Sequence, residues 1–374
     1  MEHIAQKDIN NQSEIISRLR FPLILLVVYL HSYGLPSPNS QLSILQSGIY
    51  EVTRTILSGM IAHSAVPAFF FISGFLMFYG GENFNLQIYL SKMRKRTVTL
   101  LLPYVIWNLI ALMVWFVLQI NMGSEFENLL SHYMEKGLLS CFWIFYVIGD
   151  ANKDLFGDVT HLTTPANLPL WYLRDLIVVS LFSPFVYYCV RQGRVRTLLL
   201  LAFIYLSGLF QNLPGQSSVA VFFYCFGAYF SITKTDFSKI FRCFFKPILV
   251  LYALLLIYIL YNDVSGPAMM LFPLFRMVGV FVIFGLGEWA TRHSLPSFPK
   301  IFTDSSFFVF AVHYVFFLSI IDQLVSYVFP SGNEFTHTIQ YLVSPVLKVA
   351  VYAVVYYVLK RIAPCLISVL VGKH

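Results

Sequence analysis

The chain has 374 residues, of which 58% are hydrophobic, 17% aromatic and only 11% charged, and its mean hydropathy is +0.72. A soluble domain carries about 25% charged residues to keep its surface solvated, so this composition excludes an ordinary cytosolic enzyme and predicts an integral-membrane helical bundle. The net charge of +7 fits either a nucleic-acid partner or the inner loops of a membrane protein until the charges are placed.

Hydrocarbon is crossed by about 20 apolar residues in a helix. Runs near that length predict ten spans within a single domain, 1–374: 15–35, 58–80, 98–120, 168–190, 197–211, 218–233, 247–262, 268–289, 305–328 and 340–362. The N-terminal segment lacks a charged region followed by a small-residue cleavage site and is read as retained. Five scattered cysteines with no C-x-x-C predict neither a disulfide framework nor a metal site.

With the N-terminus cytoplasmic, 19 of the 25 Lys and Arg residues fall in inner segments. Arg54, Lys136 and Lys153 fall outside, and Arg174, Arg276 and Lys348 within spans. Every inner loop is then basic, as positive-inside insertion requires. The expected fold class is all-α integral membrane, with about ten transmembrane helices and both termini cytoplasmic. Its basic excess is mainly the cytoplasmic face of helices set in a lipid bilayer, not a nucleic-acid footprint. The apolar run 138–149 is too short to cross and is placed as an interfacial or re-entrant piece of the outer loop, 121–167. There Phe142, Trp143 and Tyr146, beside Glu125, Glu127, Glu135, Asp150, Asp154 and Asp158, suit either a sugar face or a solvated loop with an aromatic anchor.

Ionisable groups at membrane depth are costly and usually face a cavity or one another. Arg20 and His31 are eleven residues apart in the first span, which places them near one helix face and about 16 Å apart along the axis. The helix thus carries a fixed cation at its inner end and a titratable base at its outer end. Each has a purely structural alternative: snorkelling for Arg20, an interhelical hydrogen bond for His31. His63, Arg174, Asp175, Arg276, His313, Asp322 and Lys348 lie at comparable depth. Together they imply a polar cavity in which a histidine can serve as general base, although Arg174 and Asp175 can equally pair with near neighbours and Lys348 can snorkel. The run K-M-R-K-R at 92–96 is either a headgroup contact and orientation signal or a site for the phosphates of an anionic donor.

Five motifs, in order, carry a resemblance: Arg20 followed by ten residues and His31; Val66-Pro67-Ala68-Phe69-Phe70-Phe71-Ile72-Ser73-Gly74-Phe75-Leu76; Arg94-Lys95-Arg96 leading into Leu101-Leu102-Pro103-Tyr104-Val105-Ile106-Trp107; Leu170-Trp171-Tyr172-Leu173-Arg174-Asp175-Leu176; and Ser306-Phe307-Phe308-Val309-Phe310-Ala311-Val312-His313. On these the chain resembles the acyltransferase 3 family of membrane O-acyltransferases over nearly its whole length. One position departs: many members have R-x-x-R before the span-three proline, whereas Thr99 stands at that spacing from Arg96, leaving Lys95 and Arg94 to supply charge.

The resemblance implies transfer of an acyl group, most often acetyl from acetyl-CoA or another acyl-CoA, to a hydroxyl of a sugar or polysaccharide acceptor. It implies a multi-pass protein of a bacterial inner (plasma) membrane, with the donor as co-substrate, no tightly bound cofactor and no metal. Arg94, Lys95, Arg96 and Arg20 would hold the CoA phosphates. His31 would act as general base or carry the acyl group transiently. Trp171, Arg174 and Asp175 would shape the outer cavity, with Asp175 a candidate to orient a histidine, and His63 and His313 would add polar groups to it. The alternative is a transporter or flippase for a glycolipid or acylated intermediate, which inverted repeats and paired broken helices would favour.

Overall fold

The computed structural model describes residues 2–32, 48–80, 84–122, 137, 139–143, 146–153, 159–209, 212–262, 270–316, 319–330 and 332–372. Glu125, Glu127, Glu135, Lys136, Asp154 and Asp158 of the predicted outer loop lie outside them. Helices follow the apolar runs, and side-chain caps at Asn85, Ser217 and Asp236 set some of their starts. Helix α1 (Glu2–His31) continues through Pro22. Helix α2 (Ile49–Arg54) runs through a π-helical turn (Thr55–Met60) and a 3₁₀ turn (Ile61–Ser64) into α3 (Ala65–Phe78). Helix α4 (Leu86–Arg96) starts where the Asn85 side chain accepts from the Ile88 N–H at 2.9 Å. Its last turn carries Arg94, Lys95 and Arg96, and a second π-helical turn (Thr97–Leu101) leads without a break into α5 (Leu102–Met122).

After the short α6 (Ser140–Trp143), strands β1 (Tyr146–Lys153) and β2 (Val159–Thr164) form an antiparallel ribbon that pairs Tyr146 with Thr164 and Ile148 with Leu162. Helices α7 (Trp171–Leu181) and α8 (Ser183–Gly193) form a pair bent by 66°. Helix α9 (Val195–Ser207) stops at Gly208, whose φ of 69° suits glycine, and Ser217 caps α10 (Ser218–Ile232). The chain continues as α11 (Phe237–Tyr261), α12 (Phe272–Arg292), α13 (Lys300–Val312), α14 (Ser319–Val328), α15 (Glu334–Ile362) and α16 (Pro364–Val371).

Among the described residues, five helical runs are long and apolar enough to cross a membrane: Ile49–Phe78, Leu86–Val117, Phe237–Tyr261, Phe272–Arg292 and Glu334–Ile362. Counting the bent pair as one span makes six. The chain is therefore an almost entirely helical, multi-pass membrane protein, and the ribbon is its departure from the all-α expectation. Three expected segments differ in detail. The second run begins at Ile49 rather than 58, because Glu51 and Arg54 neutralise each other inside it. The segment 305–328 is interrupted by turns at 313–316. The piece at 138–149 becomes α6 and the start of β1.

The helices gather into two compact units. The first comprises Met1–Phe69, Thr235–His313 and Phe317–Val355. In it α12 lies along α11, with rings of Tyr252 and Phe275 stacked at 4.5 Å and of Phe241 and Phe284 at 5.3 Å. Helix α1 packs on α12 and α13; its Leu19 would meet a Cβ on Gly287 at 3.0 Å. The second unit comprises Phe70–Lys234, Tyr314–Phe316 and Tyr356–His374. Its α3 and α10 meet through Gly74 and Gly227, where no side chain intervenes between the backbones. The Ser231 hydroxyl donates to Phe75 O across the same pair at 2.7 Å.

Candidate functional site

His31 closes α1, and its half-buried ring lies against that of His313, 5.2 Å between centroids and tilted by 45°. His313 ends α13 and is buried. Its Nδ1 is 2.8 Å from Phe310 O and 3.2 Å from Val309 O. Carbonyl oxygens only accept, so in the neutral ring the proton sits on Nδ1 and Nε2 keeps its lone pair. That Nε2 is buried without a hydrogen-bond partner among the described residues. An unmet buried polar atom costs about 1–3 kcal/mol, a cost more often tolerated at working sites than in plain packing.

His63 stands in the 3₁₀ turn, its ring edge-on to Phe272 at 5.1 Å. The Arg276 guanidinium covers the same phenyl ring at 4.8 Å, a cation–π contact. The 3₁₀ turn can approach α12 because Gly279 leaves room: a Cβ there would stand 2.1 Å from Ser64 Oγ. Arg20, eleven residues before His31 on α1, is exposed. Nearby, Glu14, Ser17, Arg18, Ser297, Phe298, Lys300 and Thr303 line a cavity of about 330 Å³. Arg18 is anchored there by Leu295 O at 2.5 Å and Glu14 at 2.8 Å.

In the second unit the basic run separates into two kinds of residue. Arg94 and Lys95 are exposed. Arg96 turns inward, donating to Ser180 Oγ at 2.5 Å, Ser73 O at 3.2 Å and Ser73 Oγ at 3.3 Å. Lys92 donates to Met77 O at 2.5 Å, close to the end of α3. Trp171 is half-buried against Phe70. Arg174 Nε donates to Asp175 Oδ1 at 3.0 Å, and its Nη1 donates to Trp143 O at 2.5 Å. Both members of this pair are buried. Arg174 and Asp175 therefore clasp α6 rather than present open charges, and Asp175 is held by Arg174 and Ser217.

Several polar groups near the head of α1 escaped the sequence reading. Arg54, expected in an outer loop, is fully buried in an ion pair with Glu51. Their spacing of three residues on one helix face was the available signal. Ser58 donates to Tyr29 O at 2.5 Å and also bonds the Tyr341 hydroxyl, while the Tyr29 hydroxyl donates to Leu342 O at 2.6 Å. Lys348 pairs with Asp322 at 2.7 Å.

A family model described as an acyltransferase domain matches residues 15–359, which include both histidines of the ring pair. The chain belongs to the acyltransferase 3 family. Membership makes it an O-acyltransferase outside the aminoacyl class, and it does not favour the transporter reading. A relative in that setting is the succinoglycan biosynthesis protein ExoH of Rhizobium meliloti (strain 1021). It is 25% identical over 378 residues, an alignment covering 97% of this chain and 93% of the relative. No solved structure gives a significant match.

Proposed function

We propose that this acyltransferase moves an acetyl group from cytoplasmic acetyl-CoA to a hydroxyl of a cell-surface or lipid-linked sugar in a bacterial plasma membrane. The family match across residues 15–359 carries the reading. The relative's printed role in succinoglycan biosynthesis supports a polysaccharide acceptor. In this reading the apolar half of α1, the bent pair α7–α8, the short helices α9 and α10, and the run α13–α14 also cross. That makes ten spans with both termini cytoplasmic, as the charge distribution favours.

His31 works at the reacting centre. The acceptor oxygen attacks the thioester carbonyl carbon while its proton passes to an imidazole nitrogen of His31. The C–S bond breaks, and the departing CoA thiolate takes that proton. A variant of the route places the acyl group first on His31 and then on the hydroxyl. Arg20 supplies a fixed cation, and exposed Arg94 and Lys95 gather the donor phosphates by charge-assisted contacts. His63 contributes to the wall around the acceptor path.

The deciding experiment is mass spectrometry of surface glycans from cells with and without the gene. Loss of the acetyl mass increment from one sugar on deletion names both donor group and acceptor. Unchanged substitution of every glycan would overturn the proposal.

A further inference from the structure

We infer that His313 is a positioning residue for His31, its Nε2 accepting the His31 ring N–H and so fixing which His31 nitrogen faces the substrate. The inference rests on the reading of His31 as the group at the reacting centre. Three observations support it. The two rings lie 5.2 Å apart, a separation from which a modest ring rotation forms an N–H···N bond. The Nδ1 proton of His313 is directed at Phe310 O and Val309 O, so Nε2 can only accept while the ring is neutral. That nitrogen is the orphan of the pair, buried and unpartnered among the described residues.

A base whose second nitrogen is held by an acceptor has one tautomer and one orientation, which is the part a carboxylate plays behind the histidine of a hydrolytic triad. Here the acceptor is a second imidazole. As the outward nitrogen of His31 takes the hydroxyl proton, the ring becomes an imidazolium whose inner N–H bonds Nε2 more strongly. Once the thiolate leaves and collects that proton, both rings return to their starting state. No proton is gained or lost overall, and no further reactant is needed.

The test exploits the reach of amide side chains. Glutamine places an amide oxygen near the position of Nε2, whereas asparagine reproduces only the Nδ1 side. Full-length His313→Gln, His313→Asn and His313→Leu are compared in membranes, following transfer from labelled acetyl-CoA to endogenous glycan. The expected result is a maximal rate near wild type for Gln and a loss of about 10- to 100-fold for Asn and Leu, with an unchanged KM for acetyl-CoA. Equal rates in all three variants, or a loss confined to KM, would overturn the inference.

Nitrogen-15 NMR of histidine-labelled protein in lipid nanodiscs supplies a readout independent of turnover, with His31 assigned through His31→Gln. One fixed His31 tautomer in the wild type and a mixture in His313→Leu is the expected pattern. An identical His31 spectrum in the two proteins contradicts it. Should wild-type membranes transfer no acetyl group at all, the proposed function fails, while the tautomer measurement still decides the pairing.

Discussion

Arg174 and Asp175, neighbours in sequence and both buried, are joined Nε to Oδ1 at 3.0 Å, and the same guanidinium holds the carbonyl of Trp143. The pair therefore fastens α6 to the first turn of α7. It is also neutral as a unit, which is what allows two ionised groups to sit in a region this apolar.

Removing one partner leaves a buried charge uncompensated, at a cost of about 3–5 kcal/mol. Asp175→Asn is expected to lower the thermal unfolding midpoint of detergent-solubilised protein markedly. The double replacement Arg174→Met with Asp175→Leu should recover part of that loss, because it removes both charges. Unfolding curves for the two variants check this, and an Asp175→Asn midpoint equal to wild type contradicts the buried pairing.

The helices were legible because apolar runs of crossing length have few other solutions in a membrane. The motif containing Trp171, Arg174 and Asp175 could be located by depth, but depth does not say which partner a charge will find. Here Arg174 finds Asp175 and the carbonyl of Trp143, the near-neighbour pairing that the sequence also allowed. The interruption after His313 had no proline or glycine to announce it. There the His313 ring itself bonds the carbonyls of Val309 and Phe310, groups at the closing end of α13 that a basic side chain can satisfy. The meeting of His31 with His313 depends on how α1 packs on α13, which no periodicity within either helix encodes. Arg54 reads as an outer-loop charge when taken alone, and only its pairing with Glu51, one turn before it, lets it sit inside the helix.

His31→Ala is expected to abolish acylation while leaving insertion and the folded fraction unchanged. Loss of a general acid or base typically costs 10²–10⁴-fold in rate. The checks are initial-rate acetylation of membrane glycans together with size-exclusion profiles of the purified variant. Full acetylation by His31→Ala would remove His31 from the reacting centre.

Within the basic run, the burial difference predicts two separable phenotypes. Arg94→Glu with Lys95→Glu changes exposed groups, so it should raise the KM for acetyl-CoA, more strongly at low salt where screening is weak, with little effect on thermal stability. Arg96→Met deletes the bonds to Ser180 and Ser73 and should lower the unfolding midpoint. Topology is checked in parallel by cysteine accessibility, since these charges also orient the protein. A KM unchanged by the double reversal would take Arg94 and Lys95 out of the donor site.

The crossing of α3 and α10 gives a prediction that depends on packing alone. A Cβ on Gly227 would stand 1.9 Å from Phe71 O, and one on Gly74 would stand 1.9 Å from Tyr224 O. Both obstacles are backbone, so neither can be relieved by a side-chain rotation. Small residues at such crossings let helices associate through close van der Waals contact in the membrane. Gly227→Ala must push the helices apart, and overpacking of this kind costs about 1–3 kcal/mol or somewhat more. Gly332→Ala, where a Cβ meets nothing within 4 Å, serves as the control and should leave the midpoint in place. Comparable midpoints for Gly227→Ala and Gly332→Ala in thermal unfolding would show that α3 and α10 do not meet as closely as the two glycines require.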